Sequence, residues 1–176
     1  MLKGSPLVKN IISALILLNL GFFNSPIFAS EYRVGLSMHD MERRIEGGAA
    51  LSIEKIFDRP TWWHEYAGRP HLGTQISLAN NTHLFYFGST WNLFQKGKFS
   101  GELAFGGAIH TGNEEIKNGE LGYGCKANFR ELIAFGYDIN DKQKIQFSAQ
   151  HMSNGSLCDP NQGLTTVGIR FAWKID

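Results

Sequence analysis

Cysteine is scarce in this chain, an excess of either charge is absent, and beyond residue 30 there is no long apolar run. With 2 cysteines in 176 residues, a miniature fold stapled by several disulfides is excluded. Lys and Arg number 17 against 16 Asp and Glu, so no basic surface offers itself to nucleic acid. The histidines lack metal-ligand spacing and no cysteine cluster completes a zinc site. No glycine-rich stretch follows a strand and opens a helix, so a phosphate-loop reading also fails.

The one long apolar run comes first. Lys3 and Lys9 give a basic start, "IISALILLNLGFF" supplies about thirteen mostly apolar positions, and "NSPIFAS" offers small residues for cleavage near Ala29 or Ser30. This is the layout of a signal peptide over residues 1–29; as a membrane anchor it is short of about 20 residues and contains Asn19. Residues 30–176 are the size of one domain, and export would carry Cys125 and Cys158 into an oxidising compartment.

Alternation is what the sequence has in quantity. In "KIQFSAQHMSN", Ile145, Phe147, Ala149, His151 and Ser153 fall on one face, with Gln146, Ser148, Gln150, Met152 and Asn154 on the other. "LTTVGIRFAWKI" sets Val167, Ile169, Phe171 and Trp173 against Thr166, Gly168, Arg170 and Lys174. "FRELIAFGYDI", "KFSGELAFGGAIH", "HLFYFGSTWNLF", "LGTQISLA", "AALSIEKIF" and "EYRVGLSM" bring the count to eight. The connections "QKGK" and "NDKQ" are tight, whereas "HDMERRIEGG", "HTGNEEIKNGELGYG" and "GSLCDPNQG" are long. "DRPTWWHEYAGRPH" is long on the short-turn side and predicts a small helical or irregular element there.

An exported chain of eight such strands fits an all-β, antiparallel, up-and-down transmembrane barrel of the outer-membrane type. Closure satisfies every backbone group within lipid, which an open sheet cannot do. The competing reading is a soluble periplasmic barrel or sandwich with the apolar faces turned inward. The polar second faces favour the membrane barrel, while an ending in "FAWKID" rather than on an aromatic residue counts mildly against it. His39, His64, His71, His83 and His110 then read as lumen or loop residues.

If the apolar face meets lipid, so do His151 and Ser153, near the outer end of the seventh strand. Two residues apart on one face, they stand side by side, and a histidine there can serve as general base for a serine nucleophile. Alone, such a pair reads more readily as a polar membrane boundary. The surroundings decide otherwise: "HMSNGSLCDPNQGL" before the last of eight strands, with "RPHLGTQIS", "FGSTWNL" and "FRELIAFGY", resembles the lipid A 3-O-deacylase (PagL) family. The resemblance implies an outer-membrane esterase that removes the 3-position acyl chain of lipid A, in lipopolysaccharide, without metal or other cofactor. It implies Ser153 as nucleophile, His151 as base, Asn154 and Asn161 as supports of the site or its oxyanion hole, and Phe129 as an aromatic beside it.

One position departs from the family. Its best-known members carry a glutamate fourteen residues after the histidine, and Thr165 stands there instead. A hydroxyl can hold an imidazole N–H but cannot offset an imidazolium charge. Replacing a triad aspartate by asparagine in a serine protease lowers turnover about 10⁴-fold. Parity offers Glu131 as a substitute. Pairing Ile139 with Ile145 puts Glu131 opposite Ser153, a shift by two puts it opposite His151, and either leaves it roughly 5 to 8 Å from the histidine position. Alternatively Glu131 is an interface carboxylate satisfied by Arg130, Lys126 or solvent. Asp159 is a weaker candidate, since "CDPN" already reads as a turn. The first register also sets Cys125 opposite Asp159, next to Cys158, so that a disulfide would hold the "SNGSLCDPN" loop over the site; the alternative is a pair of free, unlinked thiols. "MERRIE" and Lys117 are loop charges available to lipid A phosphates or simply to water.

Two other functions stay open beside the esterase: a family barrel with weak or no catalysis and a structural or lipid-binding role, and an acyltransferase on a similar barrel. The outward parity of His151 and Ser153 speaks against the latter. Dimerisation is left open.

Overall fold

Strand parity decides which way most strand side chains point. The computed structural model describes residues 29–59 and 64–175, so the expected signal peptide lies outside the described residues except for Ala29. Eight strands follow in order: β1 (Ala29–His39), β2 (Gly48–Phe57), β3 (Arg69–Ser77), β4 (Leu84–Lys96), β5 (Phe99–His110), β6 (Ala127–Asp138), β7 (Gln143–Ser153) and β8 (Leu164–Lys174). Each pairs antiparallel with the next, and β8 closes on β1, leaving no sheet edge.

Outward positions carry the exposed apolar set, including Leu36, Phe87, Phe105, Phe135, Phe147 and Ile169. Six aliphatic and aromatic side chains spread over different strands make a band, which is what a hydrocarbon environment requires of a barrel exterior. Near the short-turn end, the exposed Phe99 meets Tyr137 edge-on at 5.4 Å, in the manner of an interfacial aromatic belt, and the buried Tyr32 stacks on Trp173 at 5.9 Å.

The lumen is filled, and with charge. Arg33 contacts Glu31 at 2.6 Å, Glu102 at 2.9 Å and Glu54 at 3.3 Å; Glu54 also takes Arg170 at 3.1 Å and Arg130 at 3.4 Å. Arg130 lies over the Tyr86 ring at 3.7 Å and hydrogen-bonds Gln150 at 2.7 Å. The expected polar lumen is therefore a packed ionic plug.

Three details differ from the expectation or refine it. Of the two registers, the strands take the shifted one: Tyr137, not Ile139, pairs with Ile145, and Glu131 faces His151. The turn explains this, because Asn140 Oδ1 accepts the N–H groups of Lys142 and Gln143, and Ile139 N–H donates to Gln143 O, closing a tighter hairpin. In β4 the register shifts between Asn92 and Phe94, so Leu93 and Phe94 are both exposed and simple alternation fails there. The long connection before β3 holds a 3₁₀ turn at Glu65–Ala67, tied to the barrel by Trp91 Nε1–H donating to Tyr66 O at 2.7 Å.

Candidate active site

The site sits where β7 ends and the chain leaves the barrel. Gly155 and Ser156 both adopt left-handed backbone, φ 62° and 64°, which turns the chain off the strand into the 154–163 loop. That loop is bound to its neighbour across the barrel mouth. Cys125 and Cys158 form a disulfide with Cα atoms 5.7 Å apart, and Gly122 N–H donates to Gln162 Oε1 at 2.7 Å.

His151 and Ser153 are both outward and half-buried. No hydrogen bond joins Ser153 Oγ to the imidazole among the described residues, so the pair shares a face without being locked together. Phe129 faces Ser153 across the β6–β7 ladder and stacks on Phe105 at 6.0 Å, giving the serine an apolar flank.

Asn154 points the other way. It is 1 % exposed, and its Nδ2 faces the carbonyls of Tyr123, Cys158 and Pro160 at 2.8 to 3.1 Å. Its backbone N–H donates to Asn161 Oδ1 at 3.0 Å. Asn154 thus holds loop carbonyls, and its side-chain N–H groups are taken. The Nδ2 of Asn161 has no partner among the described residues.

The two flanks of His151 differ. On β6, Glu131 stands directly opposite, but it forms no hydrogen bond or ion pair among the described residues. The partners considered for it are engaged elsewhere: Arg130 points into the lumen, and Lys126 lies 3.7 Å from Glu114 and donates to Gly112 O. On β8, Thr165 also stands opposite His151, and its Oγ1 is 2.9 Å from Nδ1. Thr165 Oγ1 in turn donates to Glu42 Oε2 at 3.0 Å. Asp159 is exposed in the loop and touches neither group.

Glu42 is the residue that strand parity could not find. It belongs to the β1–β2 loop, which is pulled over the β8 end by Met41 N–H donating to Thr165 O at 2.8 Å and Arg43 Nε–H donating to Gln162 O at 2.7 Å. The signal was closure itself: once β8 pairs with β1, the loop leaving β1 must begin beside the start of β8. Gly163 completes the pocket. Its φ of 68° suits glycine, and a Cβ there would lie 2.9 Å from His151 Cε1 and 3.2 Å from Nε2, so only hydrogen leaves the imidazole its place.

The lipid A 3-O-deacylase (PagL) profile matches residues 45–174. The chain belongs to the lipid A 3-O-deacylase (PagL) family. Among solved structures, that of the outer membrane enzyme PagL is 18% identical, covers 83% of this chain and 100% of its own, and superposes with a TM-score of 0.61. Neisserial surface protein A is 7% identical over 84% of this chain and 97% of its own, with a TM-score of 0.51. The de novo designed TMB2.3 is 9% identical over 85% and 96%, with a TM-score of 0.50. These likenesses establish an outer-membrane-type barrel. No curated protein matches in sequence. The PagL-family match begins at residue 45, so Glu42 lies just outside it while Thr165 lies within.

Proposed function

We propose that the protein is an esterase of the outer membrane that removes the ester-linked acyl chain from the 3-position of lipid A, with Ser153 as nucleophile and His151 as base. The observation that carries this reading is the outward pair at the outer end of β7, in a chain of the lipid A 3-O-deacylase family, whose imidazole is oriented through Nδ1 from β8. The outer end of β7 is also where the ester bonds of an outer-leaflet lipid would lie.

The reaction is acyl transfer to serine and then to water. His151 Nε2 takes the proton as Ser153 Oγ attacks the ester carbonyl, and returns it to the departing sugar hydroxyl. Water then attacks the acyl-serine by the same proton path and releases the fatty acid. Asn161, with Nδ2 uncommitted, is freer than Asn154 to meet the oxyanion; Asn154 supports the loop. Phe129 and Phe105 flank the scissile end of the chain with apolar surface. Mature residues 30–176 act as one domain after signal removal.

Mass spectrometry of lipid A from cells expressing the protein tests this. The mass of one 3-position acyl chain should disappear with the wild type and persist with Ser153→Ala. Unchanged lipid A with abundant, folded wild-type barrel would overturn the esterase in favour of a structural or lipid-binding role.

A further inference from the structure

We infer that Glu42 is the carboxylate of this site, acting on His151 through the Thr165 hydroxyl as a positioning residue; this rests on the esterase reading above. The hydrogen count leads there. A threonine hydroxyl has one proton, and Thr165 gives it to Glu42 Oε2 at 3.0 Å. At 2.9 Å from Nδ1, the same oxygen can then only accept, so His151 must carry its proton on Nδ1. Nε2 is left with a free lone pair, the one that a base acting on Ser153 needs. When Nε2 takes the serine proton, the imidazolium charge is met by a hydroxyl already polarised toward a carboxylate. No proton needs to leave the threonine or reach Glu42.

The loop that presents Glu42 is built for the purpose. Asp40 accepts the N–H groups of Arg43, Ile45 and Glu46 at 3.1, 2.6 and 2.9 Å, fixing a tight turn around residue 42. Met41 extends the β1–β8 ladder by one bond to Thr165 O, so the residue after it arrives beside the Thr165 side chain. Arg43, the nearest cation in sequence, is turned to Gln162 O. By contrast Glu131, opposite His151 on β6, is not hydrogen-bonded to it.

Two measurements on the barrel in detergent micelles decide the matter. In deacylation of purified lipid A, Glu42→Gln and Thr165→Val should each lower kcat about 10- to 100-fold with KM little changed, less than the roughly 10⁴-fold loss of a directly bonded carboxylate. Combining them should add little. Glu42→Gln with Thr165→Glu should recover activity, because a carboxylate opposite His151 on β8 reaches Nδ1 directly. Glu131→Gln should change kcat less than Glu42→Gln. Full activity in Glu42→Gln, beside an inactive Ser153→Ala, would overturn the relay and leave the esterase standing.

The second measurement needs no turnover. Imidazole ¹⁵N shifts of His151 at neutral pH should report the Nδ1–H tautomer in the wild type and in Ser153→Ala, and a mixed or Nε2–H form in Glu42→Ala and Thr165→Val. An Nε2–H wild type, or a tautomer indifferent to both changes, overturns the relay even where lipid A is left untouched. A wild type that is Nδ1–H but inactive upholds the relay's geometry and counts against the esterase alone.

Discussion

The lumen and the outer end of β7 both hold buried or half-buried polar groups, and they are built in opposite ways. In the lumen each charge has several partners: Glu54 alone meets Arg33, Arg130 and Arg170, all within 3.4 Å. At the site a single file runs from the exposed Glu42 through the half-buried Thr165 to His151, with one hydrogen bond per link and the serine unattached. Redundancy makes a rigid plug that tolerates no unpaired charge. A single file leaves the last group free to act, at the expense of depending on every link. Parity keeps the two apart, since even and odd positions of β7 serve different regions.

A defect placed in one region should leave the other intact. Ser153→Ala should lower deacylation by at least about 10³-fold while leaving the temperature of heat-induced mobility shift on gels unchanged, because the hydroxyl makes no bond among the described residues. Glu54→Leu should do the reverse. It leaves three guanidinium groups without their shared carboxylate, a defect of roughly 3–5 kcal/mol, so the barrel should unfold at lower temperature while turnover per folded molecule stays near wild type. Equal losses of activity in both, at equal folded amounts, would mean that the two regions are not independent.

Asn154 lies on the border and should show both effects at smaller size. Asn154→Ala frees three loop carbonyls and removes the tether of the 154–163 loop, costing about 1–3 kcal/mol if they stay buried and unpaired. Turnover should fall because the loop that carries Gly163 against the imidazole loosens, and the disulfide should limit that fall. The check is to compare Asn154→Ala with and without Cys158→Ser: the double change should lose more activity than the two single changes combined.

The barrel was legible because its rule is binary. Alternation in eight segments fixed strand number, facing and the outward aim of His151 and Ser153, and the strands formed within a few residues of those segments. It failed where the backbone broke period two, at the Asn92–Phe94 bulge, and where turn chemistry set the register, at Asn140. The site was half legible for the same reason. Residues on strands could be placed by parity, which drew attention to Glu131. Glu42 sits on a loop, where no periodicity assigns a direction, and its position follows only from the closing β1–β8 pair and the Asp40 turn. "MERRIE" could be read only as loop charge, because the bonds that aim it run to residues more than a hundred positions away.

The smallest effect concerns the mouth of the barrel, where Glu46 does for the loops what Glu54 does for the lumen. Its carboxylate accepts Thr82 N–H at 3.0 Å, Leu121 N–H at 2.9 Å and Tyr123 O–H at 3.3 Å, and lies 3.7 Å from His39 Nε2, so one residue of the β1–β2 loop holds two others. Burial pushes this carboxyl up, but the nearby His39 imidazole and the hydrogen bonds from Thr82 and Leu121 outweigh it and hold it at about 2 instead of 4.5. A depressed carboxyl stabilises the folded loops fully above its unfolded value of 4.5, and that contribution is lost as pH falls through about 2. Amide exchange should therefore be faster at Thr82 and Leu121 in Glu46→Gln than in wild type at pH 7. That gap should narrow steadily from pH 4.5 to pH 2 as the wild-type carboxyl takes its proton, with the β6–β7 ladder unaffected throughout. A gap as wide at pH 2 as at pH 7 would show that the shape of the Glu46 side chain, rather than its charge, clamps the loops that frame the site.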